Sequence, residues 1–215
     1  MKIPSADCKK SALCAALLGV LTAAGCLTAG PMARPLDFRG ADNRTVFRFE
    51  RDGDSVLARD AAGRTLCEVR LDSAGVSVLG PDGVELGSVG PLAKRSGLRV
   101  RDADGQEMFE LRVDEDGDFE LLDRASTVVN VGKDRSYGMK VVNGADEIES
   151  RIRNRPPRIS IRDRDGNRYL RAKGDLPSIA VAALTLESVP FPFAVGLAVA
   201  LTRGDHEAPR EVQPR

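Results

Sequence analysis

Residues 151 to 173 read RIRNRPPRISIRDRDGNRYLRAK and set eight arginines and Lys173 against Asp163 and Asp165, a local excess of seven positive charges. The planar fork of arginine grips phosphate through paired hydrogen bonds, so such a cluster suits a phosphate-bearing group, for example a lipid headgroup or a lipid-A-type phosphate. Ile159 and Ile161 alternate with Arg158 and Arg162, and Arg151, Arg153 and Arg155 alternate in the preceding run. With the period-two geometry of a strand, these five arginines share the outward side of a sheet and are the candidate headgroup ligands. A second reading is compositional. Beyond residue 25 the chain holds 25 arginines and only four lysines, and the stripe could simply pair with Asp and Glu of neighbouring strands.

Other chemistry is sparse. His206, the only histidine, lies in the polar stretch GDHEAPREVQPR, which removes histidine triads and His-ligated metal sites from consideration. The acid pairs Asp102 with Asp104, Asp114 with Asp116 and Asp163 with Asp165 hint at calcium, but none completes the D-x-D-x-D-G loop with its distal Glu. Acids beside a turn glycine are explained by hairpin geometry. Cys67, in TLCEVRL, shares a strand face with Val69 and Leu71 and reads as a buried, inert thiol. The sequence therefore points to a protein that is not an enzyme, with no catalytic residue, metal or cofactor.

The chain is near neutral, with 32 basic and 32 acidic residues, which argues against nucleic acid as a partner. Aromatic content is 4% without tryptophan, which disfavours stacking platforms. At the start, Lys2, Lys9 and Lys10 precede the apolar run SALCAALLGVLTAAGC, the layout of an export signal. Its end, Leu21-Thr22-Ala23-Ala24-Gly25-Cys26, resembles the lipobox of bacterial lipoproteins. That resemblance implies cleavage after Gly25, acylation of Cys26, and a membrane as the first partner, because several acyl chains hold far better than one. Leu27 follows the cysteine where inner-membrane lipoproteins usually carry Asp, so the resemblance implies an exported cell-envelope lipoprotein, in the outer membrane if the host has two. Cys8 and Cys14 would leave with the signal, and no internal disulfide could then form.

Behind a signal at 1–25 and a tether at 26–44, turn signals recur: Asp52-Gly53, DAAG at 60–63, DSAG at 72–75, PDG at 81–83, DADG at 102–105, DEDG at 114–117, Asn143-Gly144 and DRDG at 163–166. Between them Phe47 and Phe49 alternate with Arg48 and Glu50, and Phe109, Leu111 and Val113 with Glu110 and Arg112. About a dozen consecutive antiparallel strands follow, from 45–51 to 167–172. So many twisted strands are best closed into a mainly β, antiparallel barrel, which has no exposed edge and is wide enough to hold a helix. The apolar stretch 176–202, with Glu187 as its only charge, fits in or against it. Pro190-Phe191-Pro192 cuts the stretch into pieces too short to span a bilayer. The domain is expected at 45–203, with a flexible tail at 204–215.

The DG-turned strands, such as VRDADGQEMFELRV, and the 176–202 segment resemble the tubby C-terminal-like superfamily, which includes the phospholipid scramblases and the LURP-one-related proteins. The resemblance implies a closed barrel around a hydrophobic helix and a lipid-facing role. Two functional expectations follow. One is a membrane-anchored, non-enzymatic lipoprotein whose β domain contacts lipid or protein. The other is a scramblase-like or lipid-transfer protein using the C-terminal hydrophobic segment.

Overall fold

The structure, a computed structural model, describes residues 34–73 and 75–206. Among them fourteen strands form one closed barrel in which each strand runs antiparallel to its sequence neighbours and the last closes on the first. The first half comprises β1 (Leu36–Gly40), β2 (Thr45–Asp52), β3 (Ser55–Asp60), β4 (Thr65–Leu71), β5 (Val76–Leu79), β6 (Glu85–Pro91) and β7 (Gly97–Asp102). The second comprises β8 (Glu107–Val113), β9 (Phe119–Asp123), β10 (Val128–Arg135), β11 (Gly138–Asn143), β12 (Ile148–Arg155), β13 (Arg158–Arg162) and β14 (Arg168–Lys173).

The turns are built by the side chains that precede them. Asp60 Oδ1 accepts hydrogen bonds from the backbone N–H groups of Ala62 and Arg64, both at 2.9 Å, and Gly63 takes the left-handed conformation the loop needs, with φ +82°. Asp114, Asp123 and Asn143 repeat that arrangement. Because each strand alternates, one face enters the barrel: Phe47 and Phe49 of β2, Ile159 and Ile161 of β13 are buried.

One strand corrects the sequence reading. The expected tether at 26–44 ends in β1, whose Leu36 and Phe38 point inward; Phe38 stacks on Phe47 with ring centroids 4.5 Å apart. The strand is only five residues long, follows Pro35, and turns through Gly40 to Asn43 without an Asp-Gly pair, so its local signal is weak. Pairing with β2 from Leu36 to Arg39 holds it in place, and Arg39 and Gly40 close onto β14. Residues 204 to 206, expected in a flexible tail, are held by the barrel. Gly204, at φ +81°, caps the last helix, and the carbonyl of His206 accepts a hydrogen bond from Gly97 N–H at 2.7 Å.

The apolar stretch supplies α1 (Ser178–Ala183) and α2 (Phe191–Arg203). Pro190 is the N-cap of α2 and Pro192 sits in its first turn, where a missing N–H costs nothing. Nine consecutive residues of α2, Phe193 to Leu201, are buried, about two and a half turns, so the helix is covered on all sides. It packs against β4 to β7, while α1 packs against β10 to β12. The fit is close at Gly196, where a Cβ would stand 2.7 Å from a methyl of Val78 and 3.1 Å from one of Val89. Hydrogen bonds pin the connections: Ser150 to Thr185 at 2.8 Å, Ser188 to Asn130 at 2.6 Å, and Asn154 to the Leu176 carbonyl at 2.6 Å. Among the described residues no helix is long and apolar enough to cross a membrane.

Leu197, fully buried, is therefore a sensitive probe of this core. Leu197→Ala is expected to cost about 2–5 kcal/mol in urea denaturation, and Leu197→Asp, an unpaired charge in a dry interior, to abolish cooperative unfolding of the barrel. An unchanged midpoint in either variant would contradict the packing.

Candidate functional site

On the outer face of the barrel, arginine–carboxylate ion pairs recur along β1 to β8. Across β1 to β3, Asp37 meets Arg48 at 2.5 Å and Arg39 at 3.2 Å, and Glu50 meets Arg59 at 3.0 Å. Farther along, Glu68 meets Arg70 at 2.8 Å, and Glu110 lies between Arg112 at 2.6 Å and Arg99 at 3.7 Å. The hydrogen bond from Arg48 holds the Asp37 carboxyl below its usual range against an opposing effect of burial. Arg112 does the same for Glu110, and Arg70 with Ser55 for Glu68.

From β11 to β14 the pattern breaks. Strand register lines up Lys140, Arg151, Arg162 and Arg168 in one cross-strand row, and Arg155, Arg158 and Lys173 in another. Between them runs Arg153, Ser160, Arg171 and then Arg39 of β1. No carboxylate among the described residues forms an ion pair with any cation of 151–173. Like charges directly opposite one another, at about 5 Å between Cβ atoms, destabilise a sheet. Here Arg155 faces Arg158, which faces Lys173, and none of the three is in an ion pair among the described residues.

All five arginines singled out from the sequence stand on this surface, but not in one state. Arg151 donates to the Arg164 carbonyl at 2.8 Å and Arg162 to the Gly166 carbonyl at 2.6 Å, so both lean onto the turn after β13. Arg153, Arg155 and Arg158 extend into solvent. The alternation of β14 adds Arg171 and Lys173, which lay in the same basic segment but could be assigned to this face only once β14 was paired with β13.

Cys26 lies outside the described residues. Cys67 is buried, and burial pushes its thiol up to about 12, as an inert core side chain. Asp102, Asp114 and Asp163 each spend an oxygen on the backbone N–H four residues ahead, at 2.8 to 2.9 Å. No group of three His, Cys, Asp or Glu among the described residues is placed to hold a metal ion.

Sequence reasoning missed a second feature. The loop between the helices sits at one barrel mouth, where Glu149, Asp163, Tyr169 and Glu187 share a cleft of about 470 Å³. Burial, with the charge of Glu187, raises the Glu149 carboxyl, while hydrogen bonds from Asn130 and the Glu187 backbone oppose the shift. Burial pushes the Tyr169 phenol up to about 12.

No family model matches the chain, and no curated protein matches it. Among solved structures it is similar to a protein of Arabidopsis thaliana determined by X-ray crystallography. The identity is 12%, the match covers 73% of this chain and 90% of that one, and the TM-score is 0.39, a likeness too distant to bear on function.

The two kinds of carboxylate have opposite pH signatures. Asp37, Glu68 and Glu110, lowered in the folded state, contribute stability above the unfolded range near 4 that is lost as pH falls through their folded values. Glu149, raised above its ordinary 4.5, costs stability as pH rises from there through its folded value. In urea melts between pH 4.5 and 7, Glu149→Gln should therefore gain on the wild type as pH rises; a gain of the opposite sign would contradict its environment.

Proposed function

We propose that this protein is a non-enzymatic, membrane-anchored lipoprotein of the bacterial cell envelope whose sealed barrel contacts anionic lipid headgroups through the outer face of β11 to β14. The observation that carries this reading is the set of directly opposed cations in the rows through Arg151, Arg155 and Arg158, none of them in an ion pair among the described residues, whereas β1 to β8 carry repeated arginine–carboxylate pairs. A surface that keeps repulsion uncompensated in the free protein gains most when an anion supplies the missing charge. The resemblance to the tubby-like superfamily points the same way.

The covalent geometry suits it. Cys26 as the acylated residue precedes Leu36 by ten positions, which at full extension span at most about 35 Å. Pro35 itself borders the cationic surface beside Arg158 and Lys173, so the chain leaves the barrel on its basic side. A bilayer with a negative surface potential attracts each basic residue near it by about 1 kcal/mol. The scramblase-like alternative is less well supported. Residues 193 to 201 of α2 are buried, and the cleft at the loop between the helices, though partly lined by Leu184, Leu186, Val189 and Phe191, also carries the carboxylates of Glu149, Asp163 and Glu187, which an acyl chain would have to desolvate.

Two measurements test the proposal. Radioactive fatty acid fed to producing cells should label the wild type and not Cys26→Ser, whose label-free protein should leave the membrane fraction. For the barrel, the full chain in neutral maltoside micelles should bind added phosphatidylglycerol in a salt-sensitive way, at least tenfold more weakly in Arg153→Glu/Arg155→Glu, while Arg70→Glu on β4 stays within about twofold. Binding that ignores both salt and the double substitution would overturn the reading.

A further inference from the structure

The barrel closes weakly at one seam. β1 pairs with β14 only at Arg39 with Arg171 and Gly40 with Leu170, and where the ladder stops a groove of about 570 Å³ opens toward Pro35. Five cationic side chains, Arg39, Arg158, Arg168, Arg171 and Lys173, line it against one carboxylate, Asp37. That carboxylate is already held by Arg48 at 2.5 Å and Arg39 at 3.2 Å, which leaves four cations with no acid to answer them.

A second observation comes from Ser160. Its hydroxyl lies buried in the same groove, opposite Arg171 and Arg153 in the strand register, and has no hydrogen-bond partner. Buried hydroxyls are ordinarily satisfied, and the two side chains opposite Ser160 in the register, Arg153 and Arg171, are donors only. An acceptor-rich anion is the group that would complete it. Arg171, which lines the groove, is positioned by donating from Nη2 to the side-chain oxygen of Asn43, another lining residue, and a guanidinium has four further N–H donors.

We infer that this groove is a discrete site for a phosphate monoester, bound by Arg158, Arg171 and Lys173 with Ser160 as the neutral donor. The inference rests on the reading of the outer face as anion-binding and adds a pocket and a preference to it. A monoester presents close to two negative charges spread over three oxygens of one phosphoryl group, which converging cations and a hydroxyl can meet together. A diester such as phosphatidylglycerol offers a single charge and carries a substituent on each side. Phosphatidic acid and a free phosphomonoester share the required chemistry.

The test uses the full chain in neutral maltoside micelles, titrated with short-chain phosphatidic acid, with phosphatidylglycerol, and with glycerol 3-phosphate. Phosphatidic acid is expected to bind at least fivefold more tightly than phosphatidylglycerol at equal added charge. Ser160→Ala and Lys173→Gln should each erase that preference without shifting the melting temperature, whereas Arg70→Gln should keep it. Glycerol 3-phosphate binding as tightly as phosphatidic acid identifies a soluble phosphomonoester as the ligand, and binding tenfold weaker identifies the lipid; both support the groove. Equal, salt-sensitive binding of the two lipids, unchanged in Ser160→Ala, would overturn the groove and leave the broader face standing. No binding of either lipid would overturn both.

Discussion

A closed barrel of this width survives only if its interior is filled with dry, well-packed matter, and that constraint organises the whole chain. Fourteen inward faces leave a void that their own side chains cannot fill, and empty space forfeits the dispersion contacts a core depends on. α2, small-residued and apolar on every side, fills much of that void, and Gly196 lets it approach β5 and β6 closely. α1 completes the filling on the other side, against β10 to β12. With the centre occupied, chemistry is displaced to the outer face and the rims.

On that outer face the strands obey two regimes. From β1 to β8, most arginines are interleaved with acids, and each pair contributes little alone but cancels its neighbour's charge. From β11 to β14 arginine stands opposite arginine, and no carboxylate among the described residues pairs with the cations of 151–173. Packing does not demand this, since the inward faces of β12 and β13, with Ile152, Ile159 and Ile161, are ordinary core. The departure belongs to the outer face alone, which is why it is read as function.

Much of the architecture was legible because its signals are local. Alternation in segments such as TVFRFERD and turns such as DAAG need only a few residues to declare themselves, and the proline-broken apolar stretch announced two helical pieces. β1 was not legible, because Leu36 and Phe38 make too short a run, and only its last two residues, Arg39 and Gly40, reach β14, more than a hundred residues away, to close the barrel. The arginine stripe could be seen, but whether acids on neighbouring strands neutralise it could not, since that is a property of register. The groove is less visible still. It joins Arg39 and Asn43 to Arg158, Ser160 and Arg171, and exists only at the seam.

The account stands or falls on where an anionic surface touches the barrel. The direct measurement is arginine footprinting: phenylglyoxal modification of the full chain, with and without phosphatidylglycerol in neutral micelles, read residue by residue by mass spectrometry. The expected result is protection of Arg153, Arg155, Arg158 and Arg171, with Arg44 and Arg64, exposed on the turns after β1 and β3, modified as before. Uniform protection, or protection centred on Arg44 and Arg64, would contradict it.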